Sequence, residues 1–149
     1  MKRIFVLQGK GNSGKTAAIR FLRNISKEAG FKEEEYMEIC GETDNMDFRA
    51  IYTKDNVKLG ITSIGDRHKD VKLQLEYLIS KDCDIYVCAC RTYDKYGNGT
   101  IAAVNSFINL EAEFVPKTYE PKESSQSGTN LLDAKKLWSK IQACIEECL

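Results

Sequence analysis

The sequence predicts an α/β protein: a mostly parallel sheet with helices on both faces and one antiparallel hairpin at about 48–64. Three observations predict it. The apolar run Arg3-Ile4-Phe5-Val6-Leu7 passes through a glycine-rich turn into residues of helical period. A second run, Asp84-Ile85-Tyr86-Val87-Cys88-Ala89-Cys90, is apolar enough to be buried on both sides, as a central parallel strand is. Elsewhere, segments of period 2 and period 3.6 alternate, which is the order that lays helices across a parallel sheet. The 149 residues suffice for one core and are too few for two full domains, so 1–149 is read as a single domain.

Each element has its own local reason. Ala18, Leu22, Ile25 and Ala29 recur at helical spacing from 15 to 29, and Gly30 stops that helix. Tyr36 to Cys40 forms a strand. The acidic run Glu33-Glu34-Glu35 before it reads as a solvated connection or, less economically, as a partner patch. Residues 41–47 are polar and loop-like. Phe48 to Thr53 and Val57 to Ile64 flank Lys54-Asp55-Asn56, a hairpin whose Asp55-Asn56 pair tolerates turn geometry. Ile64 breaks the alternation of Val57, Leu59 and Ile61, so that strand ends or bulges near Ser63. Val71, Leu75, Leu78 and Ile79 mark a helix from about 69 to 81. Thr100 caps a helix with Ile101, Val104 and Ile108 on its apolar face. Ala112 to Val115 is a last strand, ended by Pro116. Residues 122–128 are Ser-rich and flexible in composition, and Leu131, Ala134, Trp138, Ile141 and Ile145 define a closing helix.

The glycine-rich turn carries the chemistry. Gly9-Lys10-Gly11-Asn12-Ser13-Gly14-Lys15-Thr16 fits G-x-x-x-x-G-K-[ST] at every fixed position, between a strand and a helix as the pattern requires. Glycines allow the backbone to turn sharply and approach a polyanion. Successive N–H groups then form an anion nest at the helix start. Lys15 is expected on the β- and γ-phosphates and the Thr16 hydroxyl on Mg²⁺, whereas Asn12 and Ser13 contribute backbone donors. The expected ligands are therefore ATP (or GTP) and Mg²⁺.

In such sheets the ligand lies beyond the C-terminal ends of the strands, where Gly9 to Thr16, Gly65 to Asp70 and Arg91 to Thr100 should emerge together. Asp66 follows an apolar strand and is either a second acid for Mg²⁺ or a cap of the next turn. Arg67 is a candidate for stabilising transition-state charge, and a surface arginine is the alternative. His68, the single histidine, is a candidate base or a solvated loop residue. Arg91 is a candidate phosphate contact on an otherwise ordinary loop. Lys15, Asp66, Arg67, His68 and Arg91 form the expected catalytic set, with Thr16 and Asp66 at the metal.

The loop at 9–16, with its strand and helix, resembles that of the P-loop NTPase superfamily, and only these eight residues match specifically. The resemblance implies a three-layer P-loop NTPase-like fold. The hairpin ending in Gly65-Asp66 is also similar to the second and third strands of small GTPases. Their Asn-Lys-x-Asp, which reads guanine, has no counterpart at Cys90-Arg91-Thr92-Tyr93, and this moves the expected nucleotide toward ATP. Nucleotide kinases are similar in size but carry an arginine-rich lid, which residues 91–100 match thinly.

Composition narrows the rest. With 22 Lys or Arg against 22 Asp or Glu, the chain gives no specific nucleic-acid signal. Residues 1–32 are basic, which favours a polyanion at the loop. No apolar run approaches the ~18 residues of a membrane span, and Met1 leads directly into a strand, so a cytoplasmic location is expected. The six cysteines include no C-x-x-C pair and read as reduced core thiols. Two functions follow. One is Mg²⁺-dependent binding of a nucleoside triphosphate with slow hydrolysis or phosphoryl transfer to a small-molecule acceptor. The alternative is a nucleotide-dependent regulatory or adaptor module, a GTPase-like switch, acting through a protein partner.

Overall fold

A computed structural model describes residues 2–11, 13–39, 47–93 and 99–148. Six strands form one mixed sheet: β1 (Lys2–Gln8), β2 (Lys32–Ile39), β3 (Asp47–Lys54), β4 (Val57–Thr62), β5 (Ile85–Cys90) and β6 (Leu110–Pro116). Four helices complete the described chain: α1 (Lys15–Glu28), α2 (His68–Ser80), α3 (Thr100–Asn105) and α4 (Glu123–Cys148). The strand order is β2-β3-β4-β5-β1-β6. β1 pairs in parallel with β5 and β6, and β4 in parallel with β5, while β3 runs antiparallel to both β2 and β4.

Side-chain alternation on the central strands builds two apolar layers. Phe5 and Leu7 of β1, with Ile85, Val87 and Ala89 of β5, pack with Ala18, Ile19 and Leu22 of α1 and Ala134, Leu137 and Ile141 of α4. The intervening Ile4, Val6, Tyr86, Cys88 and Cys90 pack on the other face with Val71, Leu75 and Leu78 of α2 and Ala103 and Val104 of α3. The α/β expectation with helices on both faces is met. Cys83, Cys88, Cys90 and Cys144 are buried in these layers, and burial pushes the Cys83 thiol up to about 11. Among the described residues, no helix is long and apolar enough to cross a membrane.

The hairpin forms as expected: Asp55 (φ 50°) and Asn56 (φ 68°) make its two-residue turn, and β4 ends at Thr62, just before Ser63. Four local expectations are corrected. Glu33, Glu34 and Glu35 are not a connection but part of edge strand β2. There Glu33 accepts hydrogen bonds from Arg23 (2.9 Å) and Tyr52 (2.9 Å), and Glu35 accepts one from Tyr77. Residues 123–128 are the exposed first turns of α4 rather than a flexible stretch. α3 stops at Asn105, so Ile108 lies outside it and is exposed. Thr100 is the first residue of α3 rather than its cap; its hydroxyl accepts the Arg91 N–H at 2.7 Å. Cys40, most of the 41–47 loop, Asn12 and residues 94–98 lie outside the described residues.

Candidate phosphate-binding site

The chain leaves β1 at Gln8 and enters α1 at Lys15, so Gly9 and Gly14 stand at the C-terminal end of a central parallel strand. Gly14, immediately before α1, has φ +93°, a backbone that side chains rarely adopt. A Cβ there would stand 2.4 Å from Asn130 Oδ1. Among the described residues no side chain caps α1, and no acid sits in its first turn, so the positive end of the helix faces the loop.

Lys15 is buried at this point. Its Nζ donates to the carbonyls of Gly9 (2.8 Å) and Lys10 (2.9 Å), which orient the ammonium within the loop. Asp66 Oδ1 lies 4.0 Å from the same nitrogen. Burial pushes the Lys15 pKa below its ordinary value; the Asp66 carboxylate opposes that shift and the Arg91 guanidinium adds to it.

Asp66 is placed by a close passage of backbone. After β4 the chain crosses β5 so tightly that a Cβ on Gly65 would lie 2.6 Å from Ala89 Cβ. This delivers Asp66 to the loop, where it also pairs with Arg91 Nη2 at 3.4 Å. Arg91 follows β5, and its Nη1 would stand 2.8 Å from a Cβ on Gly11, so the guanidinium lies over the loop. Arg67 is exposed and immediately precedes α2; His68 is the half-buried first residue of that helix. Asp66 thus joins Lys15 and Arg91, with Arg67 and His68 on the same edge.

The acid bonded to Thr16 is Asp47, which the sequence reading passed over. Thr16 Oγ1 donates to Asp47 Oδ1 at 2.9 Å, and Ser63 Oγ donates to the same oxygen at 2.8 Å. Ser63 Oγ in turn accepts the Phe48 N–H at 2.9 Å. Asp47 arrives here because β3 runs opposite to β4: the first residue of β3 lies at the edge where the parallel strands end. A polar residue opening a hairpin strand was the available signal.

A second missed group comes from β6 and α4. Lys117 N donates to Gln8 O at 2.7 Å, and a Cβ on Gly9 would meet Lys117 Cβ at 2.7 Å. Lys117 Nζ pairs with Asp133 at 2.9 Å, with both side chains buried, and Thr118 donates to Asp133 from its N–H and its hydroxyl. The Tyr119 ring lies 3.8 Å from Lys10 Nζ.

A loop lined by glycine, a buried ammonium, an uncapped helix start and an overlying guanidinium can hold an anion of several charges. The sealed Ser13 hydroxyl has no hydrogen-bond partner among the described residues, an orphan that a bound anion would satisfy. Thr16, Ser63 and Asp47 bring together oxygens of the kind Mg²⁺ prefers; among the described residues no three His, Cys, Asp or Glu side chains cluster there, which suits an ion held by one carboxylate together with phosphate and water. Compared with protein-family models, with curated proteins and with solved structures, the chain matches none.

Proposed function

We propose that the chain is a P-loop NTPase-like protein that binds a nucleoside triphosphate with Mg²⁺ at residues 9–16 and hydrolyses it slowly or passes the γ-phosphoryl group to a small acceptor. The observation that carries this reading is Lys15: a buried ammonium, steered by the loop's own carbonyls, at the start of an uncapped helix. Mg²⁺ would neutralise charge on the phosphate oxygens, held by Thr16 with Asp47 beside it. Lys15 binds and orients the terminal phosphates, and Arg91 adds a second cation from above the loop. Asp66 holds both cations in register. Most of the rate enhancement in phosphoryl transfer comes from such positioning and electrostatics.

One observation favours the adaptor reading as the second choice. The carboxylates nearest the loop are engaged, Asp47 with Thr16 and Ser63, and Asp66 with Lys15 and Arg91. Neither is left as a free base for an attacking water. Such a module would retain its nucleotide and act through a protein partner.

Lys15→Ala is expected to abolish tight ATP binding in titration calorimetry with Mg²⁺, and unchanged affinity in that variant overturns the assignment. With labelled ATP and GTP, released phosphate or a labelled small molecule marks the enzyme, and bound unreacted nucleotide marks the switch.

A further inference from the structure

We propose that the segment following β6, together with the first turns of α4, forms a nucleoside subsite in which the Tyr119 ring stacks the base and the Asn130 amide hydrogen-bonds the nucleoside. The proposal rests on the triphosphate reading above and adds the other end of the ligand to it.

The direction of the ligand follows from strand order. Asp47, Asp66 and Arg91 come from β3, β4 and β5, which all lie on one side of β1. They mark where the terminal phosphates and their counter-ions gather. On the other side of β1 stands β6 alone, so a nucleoside attached to that triphosphate extends over the end of β6.

What stands there suits a base. Tyr119 is 59% exposed, and its ring touches the loop through Lys10 Nζ. Exposed aromatic faces beside a phosphate site are stacking platforms for nucleobases. The ring is carried on a stiff support: Lys117 N is bonded to Gln8 O, and Lys117 and Thr118 are both anchored to buried Asp133.

Asn130 is an independent observation. It is only 6% exposed, and its amide has no hydrogen-bond partner among the described residues. Both amide atoms lie against Gly14, with Oδ1 and Nδ2 2.4 and 2.9 Å from where a Cβ would stand. Ser13 Oγ is the only sealed side-chain atom without a partner among the described residues, so the Asn130 amide keeps solvent contact and a ligand at the loop can reach it. The amide offers a carbonyl acceptor beside an NH₂ donor group, the pair that meets adenine N6 and N7. Guanine would call for two donors or a carboxylate. Lys117 and Asp133 could supply neither, because each is spent on the other.

The test measures ATP, GTP and inorganic tripolyphosphate affinities with Mg²⁺ for the intact chain and for Tyr119→Ala, Tyr119→Phe and Asn130→Asp. The intact chain should bind ATP on the order of tenfold more tightly than tripolyphosphate, with GTP weaker than ATP. Tyr119→Ala should remove that preference and leave tripolyphosphate affinity unchanged, while Tyr119→Phe, which keeps the ring, retains it. Asn130→Asp, checked for folding by its thermal transition, should lower ATP affinity by more than it lowers tripolyphosphate affinity, because its new charge beside Gly14 repels both while only ATP also loses the amide contact. Equal affinity for ATP and tripolyphosphate, or a preference that survives Tyr119→Ala, overturns the subsite while leaving the phosphate site standing. Failure of tripolyphosphate to bind at all, or binding that Lys15→Ala leaves intact, overturns both readings.

Discussion

Lys15 is pulled in two directions. Burial favours its neutral amine, and Arg91 pushes the same way, while Asp66 holds it protonated. Only the ammonium attracts phosphate. Affinity for a triphosphate is therefore full below the Lys15 pKa and falls as pH rises through it, at a lower pH than the ordinary lysine value of 10.5 would give. Asp66→Asn removes the opposing charge and lowers that pKa further. In Mg²⁺-ATP titrations across the alkaline range, the loss of affinity should begin at lower pH in Asp66→Asn than in the parent chain. An unshifted profile would mean that Asp66 does not govern the Lys15 charge. Lys15 and Thr16 were legible in the sequence because the loop pattern assigns them by spacing alone. Asp47 was not, because nothing in Asp47-Phe48-Arg49 says that its carboxylate meets Thr16, 31 residues away.

At the scale of elements, α4 decides how firmly the loop is seated. It brings Asp133 to Lys117 and Asn130 to Gly14, tying the end of β6 and the start of α1 to one helix. Desolvation works against the Asp133 carboxylate, yet hydrogen bonds from Lys117 and Thr118 outweigh it and hold its pKa below the ordinary value. Lys117→Ala leaves the buried Asp133 carboxylate only the exposed Lys136, 3.8 Å away, as a cationic partner and should cost about 3 kcal/mol. The double change Lys117→Met with Asp133→Leu should recover most of that loss, since an apolar pair replaces both charges. Urea denaturation midpoints compare the two, and a double variant no more stable than the single one would refute this account. The same scale explains the misread acidic run. Lys32-Glu33-Glu34-Glu35 shows no alternation of polar and apolar residues, so no strand is visible in it. Its strand character comes from partners outside the segment: the pairing with β3, Arg23 on α1 and Tyr77 on α2.

For the whole molecule, the two apolar layers share one sheet. β1 and β5 send alternate side chains to each face, so neither layer can loosen without exposing the other. Unfolding should then be one cooperative transition. The single tryptophan, Trp138, reports on the α1/α4 layer through its edge-on contact with Phe31, with ring centroids 5.8 Å apart. Its fluorescence and the far-ultraviolet circular dichroism should follow one denaturation curve, and two separated midpoints would show the layers to be independent. Periodicity and turn chemistry by themselves determined the α/β class, β1 and β5 as buried strands, α1, the Asp55-Asn56 turn and the loop from Gly9 to Thr16. These features are local: each is set by which side chains must leave water within a few residues of one another. Only the tertiary structure decided that β5 stands between β1 and β4, that Asp47 rather than Asp66 bonds Thr16, and that Asn130 faces Gly14. Those contacts depend on strand order and on the antiparallel course of β3. Both are settled by how the whole chain buries two faces of one sheet at once.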